Sequence, residues 1–226
     1  MNMMRFTTMK TKLRKYPSIF LILLLAISSC FLTGCVNQHP KDSKKSSQGE
    51  SVETMLEITD PKEKQAVLNA KAKVKALSGN PRIVATSPAV ADICDKLDLD
   101  LVGVPKSSVS KIPSRYKKVK KVGLAMSPDM EIVSSLNPDW ILAPSSLETD
   151  LKPKFEELKN TEYAFLNLRS VQGMYRSAQE LGEIFGKQQE AEKMTKEFTT
   201  FYKSYTKRNK NKKHPKVLVL MGLPGS

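Results

Sequence analysis

From Arg82 to Leu168 the chain repeats one unit, a short apolar run followed by a stretch with helical periodicity. Ile83-Val-Ala, Leu101-Val-Gly-Val, Trp140-Ile-Leu-Ala and the segment 163–168 are the runs, and each has the length of a buried strand. Between them, Ser87-Pro88 starts a helix carrying Val90, Ile93, Cys94 and Leu97. Ser127-Pro128 starts another through Leu136, and 151–158 supplies a short third. Strands that alternate with helices need crossover connections, which are right-handed and leave helices on both faces of a parallel sheet. The predicted fold class is therefore α/β.

A long helical stretch follows. Met174, Ala178, Leu181 and Phe185 define one apolar stripe, and Ala191, Met194, Phe198, Phe201 and Tyr205 define another. Gly182 and Gly186 either permit close packing or break the stretch in two. The second helix, 187 to about 208, would reach ~30 Å at 1.5 Å per residue, and its basic end complements the helix dipole. Val217-Leu-Val-Leu-Met then reads as a new buried strand. It either caps the first sheet or opens a second domain, and the second alternative, in a truncated chain, is the expectation.

Upstream, Arg5, Lys10, Lys12, Arg14 and Lys15 precede an apolar run from Ile19 to Leu32 without one acid. That is the layout of a secretory signal, too short and wrongly flanked for a membrane span. Leu32-Thr-Gly-Cys35 matches a bacterial lipobox, which predicts cleavage before Cys35 and acylation of its sulfur. The alternative is an ordinary signal with a chance cysteine. Residues 36–60 are polar and read as a flexible tether. Val67, Ala70, Val74 and Leu77 mark a short amphipathic helix over 61–77.

Removing the five basic leader residues from a formal charge of +14 leaves +9, which suits an anionic surface such as lipid headgroups or wall polyanions. Nucleic acid is excluded as a partner by the export signal and the lack of an aromatic-basic patch. Cys30 leaves with the signal and Cys35 is acylated, so Cys94 has no disulfide partner and reads as a small buried hydrophobe. His39 lies in the tether and His214 in a lysine-rich loop, which argues against an imidazole metal site. No catalytic motif is present, and the chain does not read as an enzyme.

Two segments share one pattern: Thr86-Ser87-Pro88 and Met126-Ser127-Pro128-Asp129. In each a serine stands at the helix N-cap position with proline at N1. Both helix starts would lie at the carboxyl end of the sheet, where α/β folds bind ligands and where free N–H groups favour an anion. Met126 would sit just before its cap. It is either a hydrophobic staple or a soft thioether ligand of the kind that binds haem iron. With Ser127 as the cap, the staple partner would be Glu131, which weakens the first alternative.

Asn211-Lys-Lys-His-Pro-Lys-Val-Leu-Val-Leu-Met-Gly-Leu-Pro-Gly-Ser226, Gly123-Leu-Ala-Met126-Ser-Pro-Asp and Asn137-Pro-Asp-Trp-Ile-Leu give the chain a family resemblance over about 81–226. It resembles the substrate-binding proteins of ABC importers for siderophores, haem and cobalamin, and among them the haem-receptor lipoproteins. The resemblance implies two α/β lobes closing as a clamshell, joined by one long helix, with haem in the cleft. By resemblance Met126 is an axial iron ligand, Thr86, Ser87 and Ser127 face the ligand, and Gly225 and Ser226 match a second-lobe loop near it. Glu131 matches a glutamate that such proteins present to arginines of the permease. Ala125 departs from the proline usual before this methionine, and the helix at 61–77 has no counterpart.

The implied organisation is a lipoprotein signal peptide at 1–34, an anchored tether with a short helix at 35–80, the first lobe at 81–186, an interlobe helix at 187–213 and the start of a truncated second lobe at 214–226. The histidine opposite Met126 would then lie beyond Ser226, so weak haem binding, or none, is expected of this chain. The expected protein is a monomer tethered to the outer face of the cell membrane, with haem and an ABC permease as partners. Two alternatives stay open: a ferric-siderophore or cobalamin receptor, and a basic surface module with no small ligand.

Overall fold

In the computed structural model, residues 5–6, 56–213 and 216–218 are described. Eight strands form: β1 (Arg5–Phe6), β2 (Ile83–Ala85), β3 (Leu101–Val104), β4 (Lys120–Lys121), β5 (Gly123–Leu124), β6 (Ser127–Pro128), β7 (Trp140–Pro144) and β8 (Glu162–Leu166). The α-helices are α1 (Pro61–Lys75), α2 (Pro88–Lys96), α3 (Met130–Ser135), α4 (Glu148–Glu156), α5 (Val171–Phe185) and α6 (Gln188–Asn209). Six strands make one sheet in the order β1-β8-β7-β2-β3-β4, and β5 and β6 pair as a separate hairpin. All pairs from β8 to β4 are parallel, as the alternation of strands and helices requires. Only β1, which falls within the expected leader, runs antiparallel against β8.

Successive residues of the central strands feed opposite faces, so each strand is apolar throughout. Ile83, Ala85, Trp140, Leu142, Ala164 and Leu166 pack on one side with Val90, Cys94, Leu97, Ala178, Leu181 and Ile184 of α2 and α5. Val84, Ile141, Ala143, Tyr163 and Phe165 pack on the other with Val133, Leu151 and Phe155 of α3 and α4. Phe155 stacks on Phe165 with ring centres 5.8 Å apart, and Trp140 meets Phe185 edge-on at 5.6 Å. Cys94 is fully buried and free, and desolvation pushes its thiol up to about 12.

The two glycines near 185 divide the labour. Gly186 adopts φ 71° and caps α5, its N–H donating to the Gly182 carbonyl. Gly182 lets α6 close in, since an added Cβ would stand 2.7 Å from the Ala191 methyl. α6 starts in the core at Ala191, and Tyr175 stacks on its Phe198 at 4.5 Å. One turn further its stripe emerges into solvent, with Phe201 and Tyr205 mostly exposed. Helix α1 forms over 61–75, close to the expected span, and buries Val67 and Ala70 in the core. Residues 216–218 carry no regular structure, and the remainder of the expected strand at 217–221 lies outside the described residues.

Candidate functional site

The carboxyl ends of the parallel strands bring the two Ser-Pro segments to one edge of the sheet, by different routes. At the end of β2 the backbone runs straight into α2. Ser87 is extended, and its hydroxyl accepts from the Val90 N–H at 3.3 Å. Thr86 donates its N–H and its hydroxyl to the Leu142 carbonyl of β7, at 3.0 and 3.3 Å. Both are buried, Thr86 at 1% and Ser87 at 6% exposure, so their hydroxyls serve the fold.

The second segment departs from the expectation. Ser127 does not cap a helix, and Pro128 is not at N1. Both belong to β6, which pairs with β5 in the register Gly123↔Pro128 and Leu124↔Ser127. The cap is Asp129, whose Oδ1 accepts from the Glu131 and Ile132 N–H groups at 3.1 Å each. The physical reason lies at Gly123. Its φ of 95° belongs to the region that favours glycine, and an added Cβ would come within 2.9 Å of the Asp129 nitrogen. That conformation lets the chain reverse at once, and the Asp129 N–H closes the hairpin on the Val122 carbonyl at 2.7 Å.

Ala125 and Met126 form the two-residue tip. Met126 is 74% exposed and Leu124 58%, so the hairpin presents a thioether and an isobutyl group to solvent. The staple geometry fails for a new reason. With Asp129 as cap, the residue before it is Pro128 and N4 is Val133, so Met126 is outside the motif altogether. The Lys106 N–H donates to the Gly123 carbonyl at 2.7 Å, which fastens the hairpin to the loop after β3. Glu131 is exposed at the second position of α3. Cys35, Gly225 and Ser226 lie outside the described residues.

Sequence reasoning missed Asp129 and Leu124. The available signal was Gly123, since an isolated glycine beside a strand marks a bulge or a close backbone approach. A groove of about 500 Å³ between α1, α5 and α6 shares no residue with the hairpin. The candidate site is instead an open lip on a rigid sheet, able to offer soft and apolar contacts to one face of a flat ligand.

Residues 83–226 match the periplasmic binding protein family. The chain is 39% identical over 150 residues to the high-affinity heme uptake system protein IsdE of Staphylococcus aureus, covering 66% of this chain and 51% of the relative. The S. aureus IsdE structure complexed with heme superposes with a TM-score of 0.61 at 36% identity, over 66% of this chain and 57% of that one. An ABC transporter substrate-binding protein of Listeria monocytogenes gives 0.60 at 44% identity, over 65% and 56%. The chain spans about half the length of the curated relatives it matches. With its parallel sheet, two helical layers and a family match over more than half its length, the chain belongs to the periplasmic binding protein family.

Proposed function

We propose that this chain is a haem-binding lipoprotein that serves as the extracytoplasmic receptor of an ABC importer, and that Met126 is an axial ligand of the haem iron. The observation that carries the reading is the hairpin tip. There a thioether 74% exposed stands beside Leu124, 58% exposed, so the tip offers a soft and an apolar contact to a ligand. A thioether is a neutral, soft donor suited to haem iron. The similarity to IsdE, solved with heme, points to the same cargo.

The surrounding groups take consistent roles. Leu124 lines the lip and Ser127 stands across the hairpin from it, while Thr86 and Ser87, both buried, hold the end of β2. Glu131, exposed beside the lip, offers a carboxylate to arginines of the permease. In this reading 81–186 is the first lobe. Helix α6 within 187–213 is the interlobe connector, whose exposed Phe201 and Tyr205 supply an apolar face for a second lobe to cover. Cys35 carries the anchor at the membrane, behind a signal at 1–34 and a tether at 35–80. The protein binds and delivers its ligand and performs no catalysis.

A haemin titration of the full chain, read in the Soret band beside Met126→Ala, tests this. The expected result is a weak Soret shift that saturates only at excess haemin, with affinity reduced about a further tenfold in the variant. Identical spectra and affinities for the two proteins would remove Met126 from the iron, and a ferric siderophore would become the leading cargo.

A further inference from the structure

Among the described residues, three buried charged-group atoms without partners gather at one helix junction: Glu63 Oε1, Arg176 Nε and Glu180 Oε2. Glu63 stands in the first turn of α1, and Arg176 and Glu180 lie one turn apart on α5. A single bond from Arg176 Nη2 to Glu63 Oε2, at 2.7 Å, spans the two helices. Glu63 is 5% exposed and Glu180 1%, so two carboxyl groups lie near one guanidinium that bonds only Glu63.

Two ionised carboxylates and one guanidinium would leave a net buried negative charge, which neutral protein surroundings do not support. A proton on Glu180 removes that charge and lets the carboxyl donate to Glu63. Burial first, then the hydrogen bond and charge of Glu63, push Glu180 up to about 9, against the opposing pull of Arg176. Glu63 from α1 and Arg176 from α5 are the charged groups that face it. Two ion pairs flank the junction, Lys71 with Glu183 and Lys73 with Glu162. Hydrogen bonds from Lys71 and then Gln188 hold Glu183 below the ordinary carboxyl range, so that pair is unchanged near neutrality.

Helix α1 also lies outside the segment that matches the family, which begins at residue 83. We propose that α1 is a detachable clasp: a proton held between Glu63 and Glu180 keeps the helix docked on α5, and loss of that proton frees it into the tether. The clasp is independent of which cargo the lobe carries.

The direction follows from proton linkage. Undocked, both carboxyl groups are solvated and Glu180 returns to its ordinary value of 4.5, whereas docked it titrates near 9. The docked state holds the extra proton across that window. Docking is therefore fully favoured at the acid end and weakens by up to about tenfold per pH unit as pH rises through the window. The sheet does not share the effect, because burial pushes the thiol of Cys94 in its core up to about 12, above that window. Released, the 15 residues of α1 add ~23 Å of helix to the tether.

Hydrogen exchange of the full chain, corrected for intrinsic rates, tests the clasp at pH 6 and pH 8. Protection of α1 should fall about tenfold or more between the two, while peptides from β7 stay unchanged. Glu180→Gln supplies a neutral donor of the same shape and should leave α1 equally protected at both. PH-independent protection in the parent chain, or the same slope in Glu180→Gln, would overturn the proposal. If Glu180→Gln loosens β7 as well, a carboxyl ¹³C titration of the parent decides. One glutamate titrating above pH 7 supports the clasp, and ordinary titration of all of them refutes it.

Discussion

The turn at 86–88 and the hairpin at 123–128 begin from the same letters and end as opposites. After β2, in the middle of the sheet, helices wait on both faces and the chain has one way out. Ser87 caps α2, Thr86 ties to β7, and both side chains are sealed in. Beyond β4 no further strand among the described residues offers carbonyls, and the chain pairs with itself. Serine and proline become strand residues, the cap passes to Asp129, and Met126 is carried outward. A motif with one local preference thus gives a structural turn where neighbours surround it and a presenting loop where they do not.

That contrast can be broken in three places. The largest effect should come from the buried side: Ile93→Ala in α2, at 3% exposure, should cost about 2–5 kcal/mol in urea unfolding while leaving the haemin spectrum of the folded protein unchanged. Next, the caps should rank by their observed bonds. Ser87→Ala and Asp129→Ala should each lose about 1 kcal/mol, and Ser127→Ala less than about 0.5 kcal/mol. A cost for Ser127→Ala equal to that for Ser87→Ala would mean that the two segments share one design after all. The smallest effect should be a gain. Ala125 follows Leu124 at the first tip position, has no positive φ and no backbone bond from its nitrogen among the described residues. Ala125→Pro should add about 0.4–1 kcal/mol by restricting the unfolded chain and should sharpen the Met126-dependent Soret change by stiffening the tip.

The helical layers were legible because their signals are local and redundant. α2 follows from Ser87-Pro88 with apolar residues three and four apart, and the break before α6 follows from Gly186, which the left-handed cap requires. The strands were legible because both faces are covered and each is apolar throughout. The candidate site was legible in composition but not in shape. Gly123 is the one local difference between the two segments, and the rest of the distinction is that β4 is the edge strand among the described residues. The junction of Glu63, Arg176 and Glu180 was invisible for a stronger reason: its members lie 113 residues apart across the Arg176–Glu63 bond, and each looks like a surface charge on an amphipathic helix.

What the sequence determined by itself is the α/β class, the central strands and helices from 83 to 209 apart from β4 and the β5–β6 hairpin, and the buried thiol of Cys94. Those follow from periodicity, capping and polarity, which act between residues a few positions apart. The tertiary structure alone decided which Ser-Pro segment is sealed and which is presented, that Asp129 and not Ser127 holds α3, and that Glu63, Arg176 and Glu180 are buried together under α1. Each of these depends on which backbone and charged groups are brought together from distant parts of the chain. Desolvation and strand pairing are set by those neighbours and leave no local mark in the sequence.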